Sequence, residues 1–396
     1  MGQTARVSAV VWTAAGSLLA WLWLLLCQGF FWRTDVRLPP RREPDAWPSV
    51  CVVVPARDEA TVLPAALPSL LRQDYPGRAE VFLVDDGSTD GTGDLARELA
   101  RRYGGLPLTV GSPGEPPAGW TGKLWAVRHG IGLARARDPE YLLLTDADIA
   151  HAPDSLRELV AAAGAGGFDV VSQMARLRVE SMWERFVVPA FVYFFAQLYP
   201  FRRIGAEGTR TVAAAGGCVL LRTEAAERAR IPDAIRHAVI DDVALARAVK
   251  RGGGRVWLGL ADRVDSVRPY PRLADLWRMV SRSAYAQLRH NPVLLAGTIA
   301  GLALVYLVPP AAVVVGLVAG NAAAAVGGAA WLVMAGTYVP MLRYYRQPLW
   351  LAPLLPFTAF LYLLMTVDSA VRHYQGRGAA WKGRTYARPD TVPDEG

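Results

Sequence analysis

The sequence predicts an α/β fold, a mostly parallel twisted sheet flanked by helices, with transmembrane helices at both ends of the chain. Three observations predict it. Short β-branched runs alternate with helical patterns from residue 49 onward. Carboxylates close the runs "VVVPARDE", "VFLVDDGSTD" and "LLLTDAD". The apolar residues, 52% of the 396, gather into long uncharged segments near the two ends.

The first such segment, residues 7–32, carries no charge. A helix needs about 20 apolar residues to cross a hydrocarbon core of about 30 Å. A signal peptide has a shorter apolar run and a small-residue cleavage site. Here the run ends in "GFFWR", and bulky Leu26 before Cys27 does not suit a lipoprotein site. Residues 1–32 therefore read as a retained anchor. Residues 33–48, "RTDVRLPPRREPDAWP", form a Pro-rich charged linker. Residues 49–290 carry the α/β region. Residues 291–371 form a C-terminal membrane region of three hydrophobic segments, and 372–396 a basic polar tail. Pro309 and Pro310 should kink the first of the three segments, and "AGNA" (319–322) should turn into the second.

Lys and Arg number 43 against 35 Asp and Glu, a net charge of +8. The basic residues flank apolar segments, so they mark a membrane surface and not a nucleic-acid partner. Arg33, Arg37, Arg41 and Arg42 follow the first segment, and only Arg6 precedes it. The positive-inside rule then places residues 33 onward in the cytoplasm of a multi-pass inner-membrane protein. The basic loop "LRYYRQ" (342–347) agrees with this. The basic tail conflicts, because three full spans would carry it outside. The alternative is that the Pro-rich third segment re-enters, and the sequence leaves both open. Cys27, Cys51 and Cys218 stand far apart, with no C-x-x-C pair and no disulfide framework.

In the α/β region, 49–56 reads as a buried strand, 79–92 as a strand followed by a turn, 59–73 and 93–103 as helices, and 140–150 as a further strand. Ligands bind beyond the carboxyl ends of such strands. Asp85 and Asp86 close one strand and precede a Gly/Ser/Thr turn. They can accept from a nucleobase N–H or a ribose hydroxyl, or can simply cap the next helix. Asp146 and Asp148 form a D-x-D at another strand end. Two facing carboxylates suit a hard cation, Mg²⁺ or Mn²⁺, that keeps substrate phosphates as further ligands. Asp241 and Asp242 open a helix, where they complement its dipole or provide a general base. Lys123 in "GWTGK" lacks the P-loop spacing but can neutralise a diphosphate. The run "FVVPAFVYFFAQLYPF" (186–201) is too short for an ordinary span. Flanked by Arg185, Arg202 and Arg203, it reads as an interfacial helix admitting a lipid, with a core helix under the sheet as the alternative.

Taken in order, these motifs resemble the family 2 glycosyltransferases, inverting enzymes of the GT-A fold. "VVVPARDEA" is similar to their first strand and donor loop, which implies nucleotide-sugar contacts for Pro55, Ala56, Arg57 and Glu59. "VDDGSTDGT" resembles their uridine-binding turn, and "DAD" their metal motif, with Asp148 the principal ligand and Asp146 beside it. "AAGGCVLLR" is similar to the glycine segment beside sugar and acceptor, here Gly216 and Gly217. "IDDVALA" stands where they carry their catalytic acid, so Asp242 matches the base, with Asp241 next to it. Hopanoid-associated glycosyltransferases look most similar, by the "GW-x-GK" and the flanking apolar segments. Two departures stand out. Asp58 precedes Glu59 where Asn is common. The [QR]-x-x-R-W motif of processive members is reduced to Arg282 in "MVSRSAY", a position implied to face the leaving diphosphate.

The resemblance implies one inverting displacement from a nucleotide-sugar, UDP-linked, to a lipid hydroxyl, with Asp242 as base and the metal and Lys123 on the diphosphate. A processive synthase is the alternative enzyme, weakened by the missing Trp. A catalytically silent scaffold is the alternative of another class, weakened by the intact acids. A transporter lacks the ionisable residues that a pathway needs.

Overall fold

The computed structural model describes residues 3–206, 208–376, 380–381 and 384–385. They fall into two compact units. One joins residues 35–178 and 203–269. The other joins the N-terminal helix, residues 179–202 and residues 270–376, while 380–381 and 384–385 go with the first.

The first unit is built on an eight-stranded sheet. Its strands are β1 (Val50–Ala56), β2 (Ala79–Asp85), β3 (Leu108–Gly111), β4 (Tyr141–Thr145), β5 (Ile149–His151), β6 (Val170–Leu177), β7 (Cys218–Arg222) and β8 (Val256–Ser266). The order is β3-β2-β1-β4-β7-β6-β8-β5. The expected parallel strands are β1, β2 and β4, with Val54 opposite Leu83 and Val53 opposite Leu144; β3, which the sequence did not mark, adds to β2 in parallel. Beyond β4 the sheet turns mixed: β7 runs antiparallel to both β4 and β6, and β5 antiparallel to β8. Every residue of β1 and β4 is buried, which is why both read as unbroken apolar runs. Leu143 and Val52 have no exposed surface, and truncating either to Ala would cost about 2–5 kcal/mol. The helix Gly122–Arg135 packs on this face through Gly130, where an added Cβ would lie 2.5 Å from Val53 Cγ1.

The predicted strand 140–150 is in fact two. β4 ends at Thr145, the chain bends through Asp146–Asp148, and β5 pairs with β8 at the far edge of the sheet. The two aspartates therefore stand on either side of a crossover.

The second unit contains four helices long and apolar enough to cross a membrane: Ser8–Cys27, Pro292–Ala319, Ala323–Tyr344 and Leu349–Tyr374. The expected kink at Pro309 and Pro310 appears as a π turn at Ala303–Leu307, after which the helix resumes. Trp21 Nε1–H donates to the Val305 carbonyl within this turn (2.6 Å). The predicted turn at 319–322 forms with Gly320 left-handed (φ 61°) and Asn321 Oδ1 accepting from the Ala323 N–H.

The aromatic run 186–201 departs from expectation. It lies in the helix Met182–Leu198, which belongs to this unit and is its packing core, not a face open to lipid. Val187, Val188, Ala190, Val192 and Tyr193 have no exposed surface. Phe186 meets Phe357, Tyr193 meets Tyr338 and Phe194 meets Tyr362, with ring centroids 4.9–5.8 Å apart. The rings find partners on the C-terminal helices, and that buries them. Of the residues that begin the basic tail, 372–374 finish the last helix and 375–376 turn away after it. The rest of that tail lies outside the described residues, save 380–381 and 384–385.

Candidate active site

The loops after β1 and β2 are stitched together by short polar side chains. Asp58, with a left-handed φ of 49°, donates its N–H to Ser88 Oγ (3.0 Å) and accepts from the Thr89 N–H (2.8 Å). Glu59 N–H donates to Thr92 Oγ1, and Ala60 N–H to Asp90 Oδ2. Burial pushes Asp90 up, but the hydrogen bonds from Thr92 and Ala60 prevail and hold it below the usual range. "RDEA" and "GSTDGT" thus make one rigid rim.

Of the two acids closing β2, only Asp85 is partly exposed. Its Oδ1 accepts from the Ser88 N–H. Asp86 is wholly buried, its carboxylate 3.6 Å from Arg57, which also donates to the Asp86 carbonyl. The expectation that both acids meet a nucleoside does not suit Asp86, which has no exposed surface. Asp86 instead holds Arg57. Pro55 and Ala56 lie buried at the end of β1, Ala56 accepting from the Asp86 N–H.

The two acids of "DAD" have separate partners. Lys123, in the first turn of the helix capped by Thr121, lies 2.9 Å from Asp146 Oδ1 and 3.1 Å from Asp241 Oδ2. Burial alone would push the Lys123 ammonium down, but Asp146, Asp241 and Asp242 raise it well above the ordinary lysine value. It is therefore a fixed positive charge. Burial raises Asp146 in spite of Lys123. Asp148 turns the other way. Its Oδ2 accepts from Ser266 Oγ (3.0 Å) and Arg268 Nε (3.1 Å), while Arg268 Nη2 reaches Glu59 Oε2 at 2.6 Å. Neither Ser266 nor Arg268 stands in a sequence motif. The only signal is an Arg just after a strand-like run, at "VDSVRP".

Asp242 lies at the start of the helix Asp241–Arg251. Its Oδ2 accepts from the Gly216 N–H (2.8 Å) and its Oδ1 from the Val243 N–H (2.7 Å). Burial and the adjacent Asp241 push its carboxyl up to about 6, against the pull of Lys123 and these two N–H groups. A Cβ on Gly216 would lie 3.4 Å from Asp242 Oδ2 and 3.6 Å from Lys123 Nζ, so the glycine leaves open the space in front of both. Lys123, Asp146, Gly216, Asp241 and Asp242 line one cavity, with Leu124 and Ile235 among its apolar walls.

The glycine turn is clamped from beneath. Thr145 Oγ1 donates its one proton to the Gly217 carbonyl (2.8 Å), so His151 Nε2, 3.0 Å away, must carry a hydrogen and donate to Thr145. His151 Nδ1 then accepts from Ser155 Oγ (3.3 Å). Burial pushes His151 down to about 4, which keeps it neutral as this chain requires. Ser172 Oγ accepts from the Ala215 N–H on the other side of the turn (2.8 Å). No motif marked His151 or Thr145.

The acids of "DAD" fit a hard cation. Asp146 and Asp148 offer carboxylate oxygens on both sides of one bend. Among the described residues no group of three or more His, Cys, Asp or Glu side chains could hold a metal alone. A metal here would complete its shell from phosphate oxygens and water, as Mg²⁺ commonly does. Asp148, expected as the principal ligand, is the less exposed of the two, at 13% against 34%. Gly217 packs behind the cavity against Ile149 and Ala175. Arg282 is exposed at the end of the helix Leu273–Ser281, in the helical unit.

Residues 51–230 match the profile of glycosyl transferase family 2. The stretch is thus similar to that family, and the sheet that carries it has the GT-A architecture. The match takes in Asp85, Lys123, Asp146, Asp148 and the Gly216–Gly217 turn, and stops short of Asp241 and Asp242. The undecaprenyl-phosphate 4-deoxy-4-formamido-L-arabinose transferase of Pseudomonas aeruginosa is 33% identical over 142 residues, 34% of this chain and 38% of that protein. The beta-monoglucosyldiacylglycerol synthase of Synechocystis is 30% identical over 118 residues, 26% of this chain and 25% of that protein. The chain thus spans well under half the length of these curated relatives. A solved structure, the mannosyltransferase PcManGT from Pyrobaculum calidifontis in complex with GDP-Man and Mn²⁺, shares the fold. It has a TM-score of 0.55 and 21% identity, over 92% of this chain and 98% of that one.

Proposed function

We propose that this protein is a membrane-bound inverting glycosyltransferase that moves a sugar from a nucleoside-diphosphate sugar to a lipid hydroxyl. One observation carries the reading: Lys123 stands between Asp146 and Asp241 in the cavity that also holds Asp242 and Gly216. A fixed cation and a carboxylate with a raised pKa, side by side, are what a displacement at an anomeric carbon needs. Asp242 takes the proton from the acceptor oxygen as that oxygen bonds to the anomeric carbon and the bond to the diphosphate breaks. The Gly216 and Val243 N–H groups keep its carboxylate aimed. Lys123 meets the negative charge that develops on the departing diphosphate. The rim of Asp58 to Thr92 and the exposed edge of Asp85 receive the nucleoside. Asp146 and Asp148 would hold Mg²⁺ or Mn²⁺, which supplies Lewis-acid stabilisation of the leaving group when bound.

The lipid acceptor is supported by the four apolar helices and by the names of the two curated relatives, which act on undecaprenyl phosphate and on a diacylglycerol lipid. A hopanoid or other polyisoprenoid alcohol is the acceptor class we favour, and UDP the donor nucleotide. The basic flank of the first helix supports a cytoplasmic location for the chain from residue 33, in an inner-membrane protein. The test is incubation of the purified protein in detergent with a panel of UDP- and GDP-sugars, divalent metal and native lipid extract. Mass spectrometry should reveal a new glycolipid that needs the metal. No product from any combination, with intact folded protein, would defeat the reading.

A further inference from the structure

We infer that the last apolar segment, Leu349–Tyr374, dips into the membrane and returns to the side it entered from, so that the chain crosses three times and not four. The inference rests on the reading of these helices as bilayer-embedded. Its basis is their packing on one another. The helices Pro292–Ala319 and Ala323–Tyr344 form an antiparallel hairpin, with Gly316 against Ala324 and Gly327 against Ala312. Pro292 and Tyr344 therefore share one end of the hairpin, and the turn at 320–322 lies at the other.

The following segment starts at that shared end, because only residues 345–348 separate it from Tyr344. It then descends. Trp331 Nε1–H donates to the Pro353 carbonyl (2.9 Å), and Trp331 lies about 20 Å along its helix from Tyr344 at roughly 1.5 Å per residue. The helix Leu355–Tyr374 climbs back. Phe194, which packs on Tyr306, also meets Tyr362 part-way up. At the top, Ser369 Oγ accepts from the Tyr285 N–H (3.0 Å) and the Tyr374 and Tyr285 hydroxyls lie 2.9 Å apart. The rings of His373 and His290 stack at 4.1 Å. Tyr285 and His290 immediately precede Pro292, so Tyr374 returns to the shared end.

The chemistry of the segment explains the turn. Pro353 and Pro356 remove two helical N–H donors, which disfavours a regular helix from residue 349; the chain makes a 3₁₀ stretch, Leu349–Leu354, and Pro356 then sits in the first turn of the helix that follows. Non-α-helical backbone is tolerated at membrane depth only where protein covers it. Here Leu351, Ala352 and Leu355 turn to the protein (3%, 4% and 0% exposed) and the Trp331 indole satisfies the Pro353 carbonyl, while Leu349, Trp350 and Leu354 present apolar side chains outward. The charge distribution agrees. Arg289, Arg343, Arg346 and Arg372 all stand at the shared end, and residues 319–322 carry no charge. The conflict between a basic tail and an odd number of C-terminal spans disappears.

The test uses the full-length protein with Cys27 replaced by Ser, since Cys51 and Cys218 are buried. Three single variants, Ala322→Cys, Arg346→Cys and Gln375→Cys, are labelled with a membrane-impermeant maleimide in right-side-out and inverted vesicles. Positions 346 and 375 should label from one side and 322 from the other. Labelling of 375 together with 322, or equally from both sides, overturns the inference. Labelling of 322 and 346 from the same side overturns the membrane reading itself. If 375 reacts from neither side, alkaline phosphatase fused after Gln375 decides: an inactive, stably produced fusion supports the re-entrant path, and an active one overturns it.

Discussion

Asp146 and Asp148 are separated by one alanine and placed in unlike surroundings. On the Asp146 side, one lysine is shared among several carboxylates, and burial raises both Asp146 and Asp242. On the Asp148 side, a planar guanidinium bridges two carboxylates, with Ser266 completing the set. The first arrangement leaves a proton acceptor poised near neutrality. The second fixes positions, tying the loop after β1 to the bend after β4. The two acids of one triplet thus have unlike partners, a lysine for Asp146 and a bridging arginine for Asp148, and substitutions on each side should fail differently.

Asp242→Asn should have the largest effect, lowering kcat by roughly 10²–10⁴-fold with little change in donor binding. Folding raises the Asp242 pKa from the ordinary 3.8 to about 6. The charged form is thus disfavoured in the native state, and the stability this group contributes at low pH is lost as pH rises between those values. The Asn variant should therefore melt no lower than wild type at pH 7.5. In the wild-type enzyme kcat/KM should fall tenfold per unit below about pH 6, where the base is protonated. A wild-type profile flat to pH 5 would remove Asp242 from the role.

Lys123→Met comes next, with a loss on the order of 10²–10³ in kcat. Removing the cation should also raise the Asp242 pKa and move the acid limb upward. An unmoved limb would mean that Lys123 acts on substrate alone. On the other side of the bend, Arg268→Lys should cost about tenfold, because a point charge cannot bridge Glu59 and Asp148 as a planar fork does. Its signature is a higher KM for donor or metal with the acid limb in place. If the limb moved, the two sides would not be separable. The smallest effect belongs to Thr145→Val, which removes the hydroxyl holding Gly217. A fall of about threefold to tenfold in kcat is expected, and Thr145→Ser should restore it.

The legible parts of this molecule are those whose signals are local. β1, β2 and β4 could be read because both faces are buried and polar turns follow. Lys123, Asp146 and Asp242 could be read because each ends a strand or begins a helix. The antiparallel half of the sheet was not legible, since the pairings of β5 with β8 and β7 with β4 join residues distant in sequence. Arg268, Thr145 and His151 were missed for the same reason: their partners come from other strands. The helix Met182–Leu198 misled because flanking arginines and dense aromatics describe an interfacial helix and a buried one equally well. Only the rings of Tyr338, Phe357 and Tyr362 decide between them.

The hairpin that turns near Trp331 also makes the helical unit lopsided across its thickness. On the re-entrant path, the hairpin Pro292–Tyr344 continues beyond the level of Pro353, while on the nearer side the returning segment adds to it. Lipids in one leaflet are displaced by a wider footprint than in the other, as by a wedge. Such a body relieves packing stress on a curved bilayer, and reconstituted protein should partition toward small vesicles over large ones of the same lipid. Equal partition would show that the extra segment is fully compensated by lipid rearrangement around its tip.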